Sequence, residues 1–231
     1  LMSIIPDKPP FKLLDILYKK EFILFVVLVS ILIINSNISP YFLDLYNLID
    51  STFLFSEKAI IALTMTFVII ARQIDLSVAS IIAVSSVVLG YTTSLGYDTW
   101  LVLLLTLLSG ALCGAFNGAI ITKFAIPSII VTIGTMSLFR GLAYSFLEDS
   151  YYNKFPKLVG KLGGGYLYGY IPYAFLTFIL LAFVFAFILH KTSVGKKIYS
   201  IGNNPDAAQY TGIAVDKYTF VLFTLNGLFS A

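Results

Sequence analysis

Cysteine and histidine are almost absent from this 231-residue chain, which has one of each. The lone Cys113 excludes an internal disulfide, and the lone His190 excludes a histidine-based metal cluster. Charge is scarce too. Asp, Glu, Lys and Arg together make up 12% of the residues, about half the usual share of a soluble domain. The net charge of +3 is small and scattered, which argues against a nucleic-acid surface. Nucleotide and hydrolytic signatures are also missing. "KLGGGYLYG" and "SVGKK" both fail the Gly-x-x-x-x-Gly-Lys-Ser/Thr pattern, and there is neither a His-Glu-x-x-His motif nor a Ser/His/Asp set. The residues therefore give no support to catalysis, a bound metal or a resident cofactor.

What the chain has in abundance is apolar surface. It is 58% hydrophobic, with 20 Phe, 15 Tyr and a mean hydropathy of +0.92. A single soluble core cannot hide that much, so the natural solvent is a bilayer. Six runs read as spans, at about 22–34, 58–70, 77–91, 100–121, 127–147 and 171–189, and a seventh begins near Tyr218. Crossing takes about 20 apolar residues; several runs are shorter, which predicts broken or tilted helices. The expected fold class is all-α, a polytopic transmembrane helical bundle forming one domain over 1–231. No small-residue cleavage site follows the first run, so that span is expected to be retained.

Cations set the orientation. With a cytoplasmic N-terminus (1–21), the inner segments hold Lys8, Lys12, Lys19, Lys20, Arg72, Lys123, Lys191, Lys196, Lys197 and Lys217. The outer loops hold Lys154, Lys157 and Lys161, with Lys58 at the boundary. The positive-inside rule favours that arrangement and places 191–217 in the cytoplasm.

Polar residues within the apolar runs are the candidates for function. "ARQIDLSVAS", residues 71–80, interrupts two runs. Asp75 there has two readings: a broken helix lining a solute path, or a tight turn in which Asp75 caps the helix starting at Ser77. "GALCGAFNG" spaces Gly110, Gly114 and Gly118 four apart on one helix face, a pattern for close packing. Asn117 beside it either bonds across helices or faces a pore. "IPSIIVTIGTMSLFRG" opens the fifth run at Pro127, with Thr132 and Thr135 on one face. Arg140 follows, and either faces a hydrophilic path or snorkels toward Glu148 or Asp149. His190 and Lys191 read as an interfacial anchor, and Cys113 as buried filler.

"NNPDAAQYTGI" reads as a short helix over 205–211 with both ends marked. Asn204 is its N-cap, Pro205 its first residue, and Asp206 complements the dipole. Gly212 supplies the left-handed turn that ends it, and Ile213 folds back onto Ala208. So short a helix is not stable alone in water, so something must hold it. Ala207 and Ala208 give a small face for close approach. The segment is either a capped loop on the lipid surface or a docking helix for a soluble subunit.

"IDLSVAS", "NGAII", "PSIIVTIGTMSLFRGLA" and "TSVGKKIYSIGNNPDAAQYTGI", in this order, resemble the sugar permease subunits of bacterial ABC importers, the ribose, arabinose, xylose and rhamnose branch. The resemblance runs from about Ile60 to the end. It implies that 191–217 is the cytoplasmic coupling loop meeting the ATPase, with Gly195, Gly202, Asn203, Ala207, Ala208, Gly212 and Ile213 as its coupling residues. It also implies that "IDLS" and "VTIGT" lie near the translocation path, which brings Asp75, Ser77, Thr132 and Thr135 together with Asn117 and Arg140 as path residues. Its further implications are an ATP-binding subunit inside, a sugar-binding protein outside, a second permease copy, and a bacterial cytoplasmic membrane location. No ATPase site of its own is implied.

This chain departs from the family pattern at Arg72 and Gln73, where many members have Gly-Gly. "IDLSVAS" and "RGLAY" look closest to the rhamnose permeases, with the autoinducer-2 permeases next. Members of the family are longer, so the spans that would follow "LNGLFSA" are expected to be missing here. The rival class is a stand-alone secondary transporter or channel for a small polar solute. That class more often shows paired ionisable groups in its spans, and Asp75 and Arg140 are the clear candidates. A third reading, a membrane scaffold, leaves the capped helix without a role.

Overall fold

The computed structural model describes residues 20–147 and 151–231, and the lysines at 8, 12 and 19 lie outside them. The chain divides into two compact units, Leu1–Ile49 and Asp50–Ala231. The described elements are α1 (Lys20–Ile38), α2 (Leu45–Ile70), α3 (Val78–Ser94), α4 (Thr99–Phe124), α5 (Ser128–Leu147), α6 (Lys157–Gly164), β1 (Tyr166–Leu167), β2 (Ile171–Pro172), α7 (Tyr173–Lys191), α8 (Ser193–Asn203), α9 (Pro205–Tyr210) and α10 (Val215–Ser230). This is the all-α membrane bundle that composition predicts. Helices α2, α4, α5 and α7 are long and apolar enough to cross a bilayer, while α3 is shorter.

Two helices run well past their apolar cores. The first is expected to end near residue 34 but continues to Ile38, because its polar end bonds to itself. Asn35 donates Nδ2 to the Ile31 carbonyl at 2.8 Å, and Asn37 donates to that of Ile33 at 2.7 Å. The second is expected to begin at Lys58, yet α2 starts at Leu45 and carries Asp50, Glu57 and Lys58 along its length. An apolar window stops at such residues; the helical hydrogen-bond ladder does not.

Helices α4 and α10 meet along a seam of glycines. A Cβ on Gly110 would strike the Gly227 carbonyl oxygen, and one on Gly114 would strike that of Phe223. At Gly118 it would lie 3.0 Å from Phe220 Cα. The three-glycine face therefore packs backbone against backbone.

A hydrophobic cluster gathers one end of the second unit. It joins Phe67, Val68 and Ala71 of the α2 end, Ile121 of α4, Val131 of α5, Leu189 of α7, Ile198 and Ile201 of α8, Ala208 of α9, and Leu222 and Phe223 of α10. The opposite end carries the small hairpin β1–β2, which pairs Tyr166 with Pro172. Its turn places Tyr168 (φ 53°) and Gly169 (φ 78°) both left-handed, the requirement of a type I′ turn. Tyr166 donates its hydroxyl to Asp50 Oδ1 at 2.6 Å and stacks on Phe53, tying the hairpin to α2.

Candidate functional site

Helix α2 does not pass directly into α3. The Gln73 amide donates to the Val68 carbonyl at 3.0 Å and the Arg72 amide to that of Ile69 at 2.9 Å, with Arg72 left-handed at φ 60°. This is the Schellman pattern, with arginine in the position that glycine usually fills. The next five residues, 73–77, are not helical. Their exposed backbone groups find partners on α5. The Ile74 amide donates to Ser128 Oγ at 3.1 Å, and Thr132 Oγ1 lies 3.3 Å from the Ile74 carbonyl oxygen. Unwound backbone that is buried survives only where such partners exist.

Asp75 sits in this stretch and is 3% exposed. Its Oδ1 accepts from the Ser77 amide at 2.9 Å and from Ser77 Oγ at 2.6 Å. Its Oδ2 accepts from Asn226 Nδ2 at 2.8 Å. Thr64 Oγ1 lies 2.7 Å from Asn226 Oδ1, and Asn117 donates Nδ2 to Ser77 Oγ at 2.8 Å. Five side chains from α2, the unwound segment, α4 and α10 thus form one buried polar junction. Asp75 thus accepts from the Ser77 amide just before α3 and also pairs across to α10. The amide oxygen of Asn117 and the hydroxyl of Ser80 are buried without a partner among the described residues.

The remaining path candidates lie elsewhere. Thr132 and Thr135 are buried on α5, and Thr132 also bonds back to the Ser128 carbonyl at 2.8 Å. Arg140 is exposed on α5, and Glu148 and Asp149, its suggested partners, lie outside the described residues. Pro127 precedes α5 rather than starting it, since its carbonyl accepts from the Ile130 and Val131 amides. A cavity of about 670 Å³ opens beside the junction, lined by Glu57, Lys58, Ile61, Asp75, Ile82 and Phe229 among others. Of the six path candidates, Asp75 lines it.

The second candidate region is 191–217. It holds two helices, where the sequence marks one. Helix α8 is capped by Thr192, whose Oγ1 accepts from the Gly195 amide, and buries Ile198 and Ile201. Helix α9 is built as its sequence implies. Asn204 Oδ1 accepts from the Ala207 amide at 3.0 Å, and Pro205 is the first helical residue. The Ile213 amide donates to the Ala208 carbonyl at 3.1 Å across Gly212, which is left-handed at φ 86°.

The coupling residues divide between inside and outside. A Cβ on Gly195 would collide with the Leu189 carbonyl oxygen, and one on Gly202 with that of Ile70. Ala208 is 4% exposed within the hydrophobic cluster, and Ile213 packs against that cluster. The small face expected from Ala207 and Ala208 together is therefore corrected: Ala208 faces the protein's own core, while Asn203, Ala207 and Gly212 are exposed. Tyr210, at 93% exposure, is the outermost large side chain of α9.

Sequence reasoning missed Thr64 and Asn226, which complete the junction, and Glu57 and Lys58, which line the cavity. On α2 the polar residues Glu57, Lys58 and Thr64 form no regular three- or four-residue repeat, since Ile61 stands between them, so their shared face gives no signal in the sequence.

Residues 47–231 match the family described as branched-chain amino acid transport system / permease component. The chain is 34% identical over 172 residues to the autoinducer 2 import system permease protein LsrC of Escherichia coli O9:H4 (strain HS), covering 74% of this chain and 50% of that protein. It is 32% identical over 221 residues to the autoinducer 2 import system permease protein LsrD of Klebsiella pneumoniae subsp. pneumoniae, covering 91% and 65% respectively. The ribose import permease protein RbsC of Haemophilus influenzae is 33% identical over 211 residues, covering 90% and 65%. The chain thus spans 50% to 65% of the length of these relatives. No solved structure matches it.

Proposed function

The chain belongs to this family of transport permease components, and on that premise we propose that it is the membrane subunit of an ATP-driven importer for a monosaccharide-class solute. An ATP-binding subunit docks on the cytoplasmic side at α9, and a solute-binding protein delivers from outside. Two permease copies frame the path, and ATP-driven rocking alternates access to it. The N-terminus is cytoplasmic in this reading, following the lysine distribution. Relatives named for ribose and for autoinducer 2 match at similar identity. Rhamnose, which the motifs favour, is the first solute to test.

One observation carries the reading: α8 and α9 are fixed to the ends of the spans. Gly202 lets α8 lie against the Ile70 carbonyl, Gly195 lets it turn tightly against Leu189, and Ala208 seats α9 in the shared cluster. Six residues of helix have no stability of their own in water. Here the caps and the cluster supply it, so a force on α9 is delivered to the ends of α2 and α7 rather than lost in a mobile loop. From Ile70 the chain leads through the Arg72 turn into the unwound stretch that holds Asp75.

The test is an exposed change beside a buried one, in the full-length permease. Ala207→Arg puts a long cation on the outward side of α9 and is expected to reduce co-purification of the ATP-binding subunit at least tenfold, with normal membrane content. Ala208→Ser, a small inward change, is expected to leave docking intact. Docking of Ala207→Arg at the parental level, or solute uptake that proceeds without ATP, would refute the proposal.

A further inference from the structure

The cavity beside Asp75 contains two ionisable residues that the reading above does not use. Glu57 and Lys58 are the thirteenth and fourteenth residues of the 26-residue helix α2. At about 1.5 Å per residue, Lys58 lies roughly 18 Å from the Ile70 end, well inside a hydrocarbon layer about 30 Å thick. Both side chains are exposed, both line the cavity, and neither has an ion-pair partner among the described residues. Ionisable groups at such depth are costly unless they face water, a partner or a ligand.

Asp75 shares the cavity wall but is not free to serve it. Its Oδ1 is engaged twice by Ser77 and its Oδ2 by Asn226. The polar groups available to a visiting molecule are those of Glu57 and Lys58. Adjacent on the helix, they offer an acceptor and a donor side by side. Apart from Ser230, whose hydroxyl already donates to the Asn226 carbonyl at 2.6 Å, the rest of the wall is apolar, with Ile60, Ile61, Ile82 and the ring of Phe229. A molecule that suits this wall is neutral overall, bears hydroxyls that both donate and accept, and has a C–H face to lay on aliphatic and aromatic carbon. The volume of about 670 Å³ accommodates a monosaccharide with water around it.

We propose that Glu57 and Lys58 are the solute-contacting residues of a mid-membrane chamber for a neutral polyhydroxylated molecule, with Asp75 positioning the chamber wall instead of binding the solute. The solute class rests on the transport reading above; the accessibility of the chamber does not.

The experiment uses the full-length permease in membranes, in a Cys113→Ala background, with Glu57→Cys, Lys58→Cys and Thr66→Cys. Thr66 is an exposed control: nine residues beyond position 57, it falls on the opposite side of α2. A small hydrophilic thiol reagent is expected to modify positions 57 and 58 at least tenfold faster than 66. L-rhamnose or D-ribose, the probes used, is expected to slow modification at 57 and 58 at least threefold, while an equal osmolarity of sodium chloride leaves it unchanged. Equal rates at all three positions would overturn the chamber, because those side chains would then face lipid or another protein segment. Fast modification that neither sugar slows would overturn the solute contact and leave only a wet crevice. Neither readout involves ATP, so failure of the importer reading would appear separately, as uptake that ignores the nucleotide.

Discussion

The α4–α10 seam and the Asp75 junction share helices α4 and α10 and are held together in opposite ways. At the seam, Gly110, Gly114 and Gly227 bring two backbones into direct contact, with little side chain between them. At the junction, Thr64, Asp75, Ser77, Asn117 and Asn226 meet mainly through hydrogen bonds between side chains. Close-packed backbone has no second arrangement close at hand, because a small displacement makes an atom overlap its neighbour. A hydrogen-bonded cluster does, because donors and acceptors can exchange partners or take up water. The seam is built to stay as it is, and the junction is built of parts that can be rearranged.

Overfilling the seam should produce the largest effect. Gly114→Leu forces a side chain into the Phe223 carbonyl and is expected to destabilise the fold by about 3 kcal/mol, the top of the usual range for overpacking. The measurement is the fraction of protein that survives heating in detergent, and unchanged survival would show that the seam is looser than drawn. At the junction, Asp75→Asn turns an acceptor into a donor facing Asn226 Nδ2. A loss of about 1–3 kcal/mol is expected, together with loss of uptake. The double change Asp75→Asn with Asn226→Asp restores the complementarity and should recover most of both. If the double variant is no better than the single, the Asp75–Asn226 bond is not what the junction depends on.

Two smaller effects sharpen the same contrast at the turns. Asn204→Ala removes the α9 cap, at a cost of about 1 kcal/mol. Hydrogen exchange of the amides at 207–210 should quicken, while that of α10 stays slow. Arg72→Gly relieves a left-handed arginine, and the gain is partly offset by the extra freedom of the unfolded chain. A net stabilisation of about 0.5 kcal/mol is expected in thermal unfolding, and a loss of stability would mean that the Arg72 side chain has a role of its own.

The features legible in the sequence were those with a local cause. Asn204, Pro205 and Gly212 mark α9 because capping depends on residues a few positions apart, and the structure repeats that reading bond for bond. The glycine face of α4 was legible because its period matches the helix. The junction was legible only in part. Asp75 and Ser77 stood out as polar residues between apolar runs, but Thr64 and Asn226 are 162 positions apart and become partners only through folding. Glu57 and Lys58 were hidden by the criterion itself, since charge was taken to end a span. The inward turn of Ala208 could not be seen either, because the sequence gives α9 a small face without saying which neighbour occupies it.

Gly227 lies against Gly110 and Gly114, one helical turn apart on α4, as a tooth lies between two others on a rack. A partial slide of α10 along α4 would drive backbone into backbone, and the next matching register is a full turn, about 5.4 Å, away. The pair is therefore geared. Rotation of the two helices as one body costs nothing at the seam, whereas sliding between them is forbidden. Any cycle of opening and closing must then move α4 and α10 together past the helices they touch through side chains. Spin labels at Leu112 and Leu225, both exposed, would keep one separation throughout such a cycle, and a distance that changed with it would show that the teeth disengage.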